Sequence, residues 1–171
     1  MDERLRRAVM AAMMAAMACI ATMIIKVPTP GTNGYVNVGD TVVLISAWLL
    51  SNPYGAVAAA IGPALADILS GYIVYAPGTA VIKALMALTA VWLYRSSVKR
   101  NIPKIAAYII SSIVAEAVMV AGYLLYESTL LGYGSGAVAS VAANIVQGVI
   151  CATCANILIH ILVKIIRPEN N

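Results

Sequence analysis

Three ionisable residues sit inside long apolar runs: Asp67 in IGPALADIL, Lys83 in TAVIKALMAL and Glu116 in IVAEAVMV. A charge within a bilayer costs roughly 2.5–3.5 kcal/mol on insertion scales, so such residues mark a functional site by default. Counted from the outer end of each run at 1.5 Å per residue, Asp67 and Lys83 come out roughly 10 Å deep, and Glu116 and Asn144 roughly 15 Å. On the last apolar run Ser140, Asn144, Gln147 and Cys151 share one face, and hydrocarbon cannot satisfy the hydrogen bonds of such a face. Tyr123 stands two turns above Glu116, and Thr79 one turn above Lys83. Together these groups suit a small polar heteroaromatic. Glu116 accepts from a ring N–H or hydroxyl, Lys83 donates, Asn144 and Gln147 do both, and a tyrosine covers a ring face. A buried Asp67–Lys83 ion pair with no ligand is the competing reading.

Chemistry of other kinds finds little support. There is no GxxxxGK[ST] to cradle phosphates, no GxSxG and no HExxH, so neither catalytic residues nor metal ligands are assigned. Cys151 and Cys154 form a CxxC without a second pair and read as packing. His160, near the inner end of the last run, reads as interfacial. The net charge of +4 comes from basic residues scattered over the ends of the runs, which argues against nucleic acid. Any uphill transport needs an ion gradient or a partner that hydrolyses nucleotide.

The elements that must position these residues follow from composition. The 171 residues are 62% hydrophobic and only 11% charged, against about 25% charged in a soluble domain. We expect one integral membrane domain over residues 1–171, all-α, with six transmembrane helices at about 4–26, 39–52, 54–74, 77–95, 103–126 and 135–166. The first run is too long for the apolar part of a signal peptide and reads as retained. Arg4, Arg6, Arg7, Arg95, Lys99, Arg100, Lys104, Lys164 and Arg167 all fall on one side, which makes both termini cytoplasmic. The turn-rich VPTPGTNGYVNVGD after the first helix is then an extracellular lid, with Tyr35, Asn37 and Asp40 hanging over the mouth of a pocket. On the first helix Ala8, Ala11, Ala12, Ala15, Ala16 and Cys19 lie within an arc of about 140°. Small faces let another backbone approach closely, whether the protein's own helices or a separate membrane subunit.

Taken together, VPTPGTNGYVNVGD, IGPALADILSGYIVYAPGTAVIKALMAL, EAVMVAGYLLYE and ANIVQG resemble the substrate-binding (S) components of energy-coupling factor (ECF) transporters. The resemblance runs from residue 1 to about 165 and is closest to pyridoxine- or hydroxymethylpyrimidine-type members. Its more specific motifs are GYxNxGD at Gly34–Asp40 and PxTxxIK at Pro77–Lys83. It implies a six-helix bundle that binds a vitamin from outside under the first loop, then topples to release it inward. It also implies docking through Ala8, Ala12, Ala15 and Ala16 onto a membrane scaffold subunit driven by two cytoplasmic ATPases, with ATP used by those partners and no cofactor in this chain. Carried over by motif, the site is Tyr35, Asn37, Lys83, Glu116, Tyr123, Asn144 and Gln147, supported by Asp40, Asp67 and Thr79, with Asp67 serving Lys83. Ala80-Val81 departs from the bulkier residue many members carry there. Two other classes compete: an ion-coupled secondary transporter using Asp67, Lys83 and Glu116, and an intramembrane enzyme, for which no nucleophile–base pair is visible.

Overall fold

The computed structural model describes residues 2–29, 31–50 and 52–166, without the side chain of Ile166. Pro30 of the opening loop, Ser51 and Arg167 of the charge argument lie outside the described residues. Six α-helices carry the fold: α1 (Glu3–Ile24), α2 (Gly39–Leu50), α3 (Tyr54–Leu69), α4 (Ala76–Lys99), α5 (Lys104–Leu125) and α6 (Val138–Ile166). By length and composition α1, α4, α5 with its extension to Leu130, and α6 can each cross a membrane. The 12 residues of α2 and 16 of α3 reach only about 18 and 24 Å, short of a hydrocarbon layer of about 30 Å.

Several helix ends differ from expectation for local reasons. α3 stops at Leu69 instead of running to residue 74. Gly71 adopts φ +85°, its N–H reaches the Ile68 carbonyl, and the Tyr72 N–H reaches the Asp67 carbonyl at 2.8 Å. That is a Schellman end, which needs a residue at positive φ and finds glycine. α4 continues past residue 95 to Lys99 and ends only where Asn101 turns left-handed (φ 59°) ahead of Pro103. α5 widens into a π turn at Tyr126–Leu130, and a 3-10 turn at Gly134–Ala137 leads into α6. The all-helical expectation needs one addition. In the opening loop β1 (Val27–Pro28) and β2 (Tyr35–Val36) pair antiparallel, with Val27 opposite Val36.

The helices close into a ring in the order α1, α3, α4, α5, α6, α2, with α2 also touching α3 and α4. Being short and wrapped by neighbours, α2 is apolar nearly all round and supplies Val43, Leu44 and Ala47 to the core. The contacts between helices rest on small residues, among them Ala58, Ala59, Ala66, Ala87, Ala90, Ala107, Ala115 and Ala155. Such residues let helices pack closely where lipid supplies no hydrophobic drive. Gly62 is the tightest case, since a Cβ there would lie 2.4 Å from the Ala15 carbonyl oxygen of α1. The outside is a belt of exposed Ile, Leu, Val and Met, including Met13, Ile61, Val81, Ile113 and Val149. Such a surface suits hydrocarbon and not water.

The small-residue face of α1 divides in two. Ala11, Ala18 and Cys19 are buried in the bundle and Ala15 is half-buried against α3, whereas Ala8, Ala12 and Ala16 are exposed. One edge of the arc therefore packs internally and the other forms an open stripe.

Candidate functional site

The centre of the site is an ion pair between Lys83 on α4 and Asp40 on α2, Nζ to Oδ1 2.5 Å, with both side chains almost wholly buried. The approach is off the hydrogen-bond direction, so the two meet as a contact ion pair. This corrects two expectations. Asp40 does not hang over a mouth; it lies in the first turn of α2, fully buried, where the helix dipole favours a carboxylate. Nor does Asp67 serve as the counter-charge of Lys83. A buried ammonium needs an adjacent carboxylate, and the register of α2 brings Asp40 to it.

Gln147 on α6 ties this pair to the opening loop. Its Nε2 donates to Asp40 Oδ2 at 2.6 Å, and its Oε1 accepts the Asn37 backbone N–H at 2.6 Å. The Asn37 side chain turns inward along the chain and accepts from the Gly39 N–H at 2.8 Å, and the Cys151 thiol reaches the Asn37 carbonyl at 3.5 Å. Cys151 is buried and Cys154 exposed, so the CxxC does not act as one unit.

A second tier lies nearer the loops. The Tyr35 hydroxyl donates to Asp67 Oδ1 at 2.6 Å, and its ring rests on Tyr72 with centroids 4.5 Å apart. Burial, followed by this bond to the carboxylate, pushes the Tyr35 phenol well above its ordinary range. Thr79 and Tyr123 share a hydrogen bond of 3.0 Å, and Lys83 Nζ stands 5.1 Å from the Tyr123 ring centroid, a cation–π arrangement. Glu127, in the connection between the expected spans 103–126 and 135–166, is 2% exposed and accepts from Tyr75 (3.1 Å) and Ser140 (2.5 Å). Ser140 on the polar stripe of α6 was the available hint, but pairing it with Glu127 depends on the π turn.

These groups surround one cavity beneath the hairpin, lined among others by Tyr35, Asn37, Asp67, Thr79, Lys83, Tyr123 and Asn144. Gln147 and Asp40 lie outside the lining but connect two residues within it, Asn37 and Lys83. The space open to the centre of a water molecule is about 20 Å³, room for about one water. The chamber is therefore too small, as it stands, for a ring-sized guest. Glu116 lies outside the lining, packed against Gly148, where a Cβ would come within 3.1 Å of Glu116 Cβ. Gly148 is one turn along α6 from Asn144. Neither carboxylate oxygen of Glu116 has a hydrogen-bond partner, and neither does Asp67 Oδ2. His160 stands apart, half-buried, with its ring edge-on to Tyr108 at 5.9 Å and Nδ1 2.6 Å from the Asn156 carbonyl. Among the described residues no group of three or more His, Cys, Asp and Glu side chains could hold a metal ion.

A helical bundle with an apolar exterior and a polar chamber beneath a hairpin fits a membrane-embedded binding subunit. The family model for the ECF-type riboflavin transporter S component matches residues 3–167. An uncharacterised protein in the gap 3′ region of Pyrococcus woesei is 34% identical over 149 residues, covering 87% of this chain and 96% of that protein. A solved S component of a bacterial ECF transporter superposes with a TM-score of 0.72 over 96% of this chain and 99% of that one, at 22% identity. The last likeness concerns the fold. The chain belongs to the ECF-type riboflavin transporter S component family. Such S components are integral membrane proteins that bind the substrate of a vitamin importer, and they are not enzymes. The scaffold and ATPase subunits of the transporter are their partners.

Proposed function

We propose that this chain captures a single-ring polar heteroaromatic vitamin or precursor, of the pyridoxine or hydroxymethylpyrimidine kind, from outside the cell. It hands the ligand to a scaffold subunit driven by two ATPases. The observation that carries the reading is the convergence of Tyr35, Asn37, Asp67, Thr79, Lys83, Tyr123 and Asn144, from the hairpin and four helices, on one chamber. The family model is named for riboflavin, a three-ring ligand. The choice of a single ring rests on the likeness of Gly34–Asp40 and Pro77–Lys83 to pyridoxine- or hydroxymethylpyrimidine-type members; a chamber of about 20 Å³ holds neither ring system as it stands. In this reading the chain crosses the cell membrane six times, α2 and α3 completing their crossings through the turns that flank them. Both termini are cytoplasmic and the hairpin is the outer lid. The exposed Ala8, Ala12 and Ala16 form the docking stripe, with Ala15 holding α1 to α3.

The test is to purify the protein from cells, identify any co-bound small molecule by mass spectrometry, and measure its affinity. We expect a single-ring heteroaromatic bound submicromolar and weakened at least tenfold by Asn144→Ala. Recovery of a tricyclic ligand would overturn the ring-size argument, and unchanged affinity in the Asn144 variant would overturn the site.

A further inference from the structure

Charge in the buried site is badly out of balance. Asp40, Asp67, Lys83, Glu116 and Glu127 are each at most 5% exposed. Lys83 answers Asp40, and Glu127 takes hydrogen bonds from Tyr75 and Ser140 on its two oxygens. Asp67 takes a hydrogen bond from Tyr35 and lies near Thr79 and Lys83, and Glu116 takes none, so three carboxylate oxygens are left without a well-formed hydrogen bond. The other nearby cation, Lys26, is exposed at the rim, where it donates to Ser70 at 2.9 Å. The orphan atoms here are thus predominantly acceptors, and Asp67 lines the cavity itself. A buried anion without a counter-charge is costly, so what enters should supply donors and positive charge. An anionic or phosphorylated guest would add to the imbalance.

We propose that the site takes a cationic, nitrogen-based heteroaromatic, its positive charge answered by Asp67, which lines the chamber. The proposal rests on the chamber being the ligand site and narrows the single-ring reading to its charged members. Tyr123 and Tyr35 supply ring faces to such a guest, and the Asp40–Lys83 pair is already neutral as a unit.

The full chain in lipid nanodiscs is titrated calorimetrically with two isosteres, 3-(hydroxymethyl)-1-methylpyridinium and neutral 3-methylbenzyl alcohol. The pyridinium is expected to bind at least tenfold tighter. Asp67→Asn should cost it about tenfold while moving the neutral compound less than twofold. Equal or tighter binding of the alcohol overturns the proposal, as does a charge preference that survives the Asp67 variant, or binding of neither probe. In each of those cases a neutral co-purified ligand that still responds to Asn144→Ala leaves the chamber reading standing. A second readout is thermal stability without ligand. Glu116→Gln should raise the midpoint, because it removes an unanswered charge; a fall would mean that the carboxylate has an internal partner and that the charge count is wrong.

Discussion

Replacing Asp40 with Asn keeps the shape of the side chain and an oxygen for Gln147 Nε2, but deletes the charge that faces Lys83 at 2.5 Å. Lys83 is 1% exposed, so its ammonium cannot turn to water. Breaking a buried ion pair on one side costs about 3–5 kcal/mol, most of it the penalty of the stranded partner. For a chain of this length each kcal/mol moves the thermal midpoint by about 2–4 °C, so Asp40→Asn should lower it by at least 6 °C or so. Lys83→Met strands Asp40 and should cost a similar amount. The double variant removes both charges and should recover most of the loss, since an apolar replacement of a buried pair is often close to neutral. The assay is tryptophan-fluorescence or circular-dichroism melting of the three variants in one detergent, read as a double-mutant cycle. An Asp40→Asn midpoint within about 1 °C of the parent, or losses that simply add in the double variant, would refute the pairing and make Asp67 or Glu116 the true counter-charge.

Three further outcomes follow from the same geometry. Tyr35→Phe removes the 2.6 Å bond to Asp67 and should speed ligand release about tenfold or more in stopped-flow measurements, a charged hydrogen bond being worth about 1.5–3 kcal/mol. Because the Tyr35 phenol is held above its ordinary value, the donor form persists as pH rises, and the release rate of the parent protein should stay flat from about pH 7 to 10 as far as this latch is concerned. Gly62→Ala would put a Cβ 2.4 Å from the Ala15 carbonyl and should cost about 1–3 kcal/mol in a melting experiment; a neutral result would mean that α1 and α3 are not in close contact. Ala12→Leu, on the exposed stripe of α1, should leave ligand affinity unchanged but stop uptake by the assembled transporter. Uptake that survives would locate the docking face elsewhere.

What the sequence determined by itself is what local chemistry decides. Apolar runs of sufficient length become helices because hydrocarbon leaves backbone groups no other partner, and the stripe Ser140, Asn144, Gln147 and Cys151 had to turn inward for the same reason. Lys83 and Asp67 could be recognised as exceptional from their surroundings alone. Which carboxylate answers Lys83 was another matter. Asp67 and Asp40 were both available, and only the packing of α2 inside the ring puts Asp40 against the ammonium and leaves Asp67 to Tyr35. Glu127 falls just past the expected fifth span, 103–126, and its burial depends on a π turn that swings it toward Tyr75 and Ser140. The alanine arc of α1 looked uniform on a wheel, yet α3 covers one edge and leaves Ala8, Ala12 and Ala16 open. Helix formation and burial tendency are properties of short stretches, whereas the pairing of charges depends on distances between segments far apart in the chain, which only the assembled bundle sets.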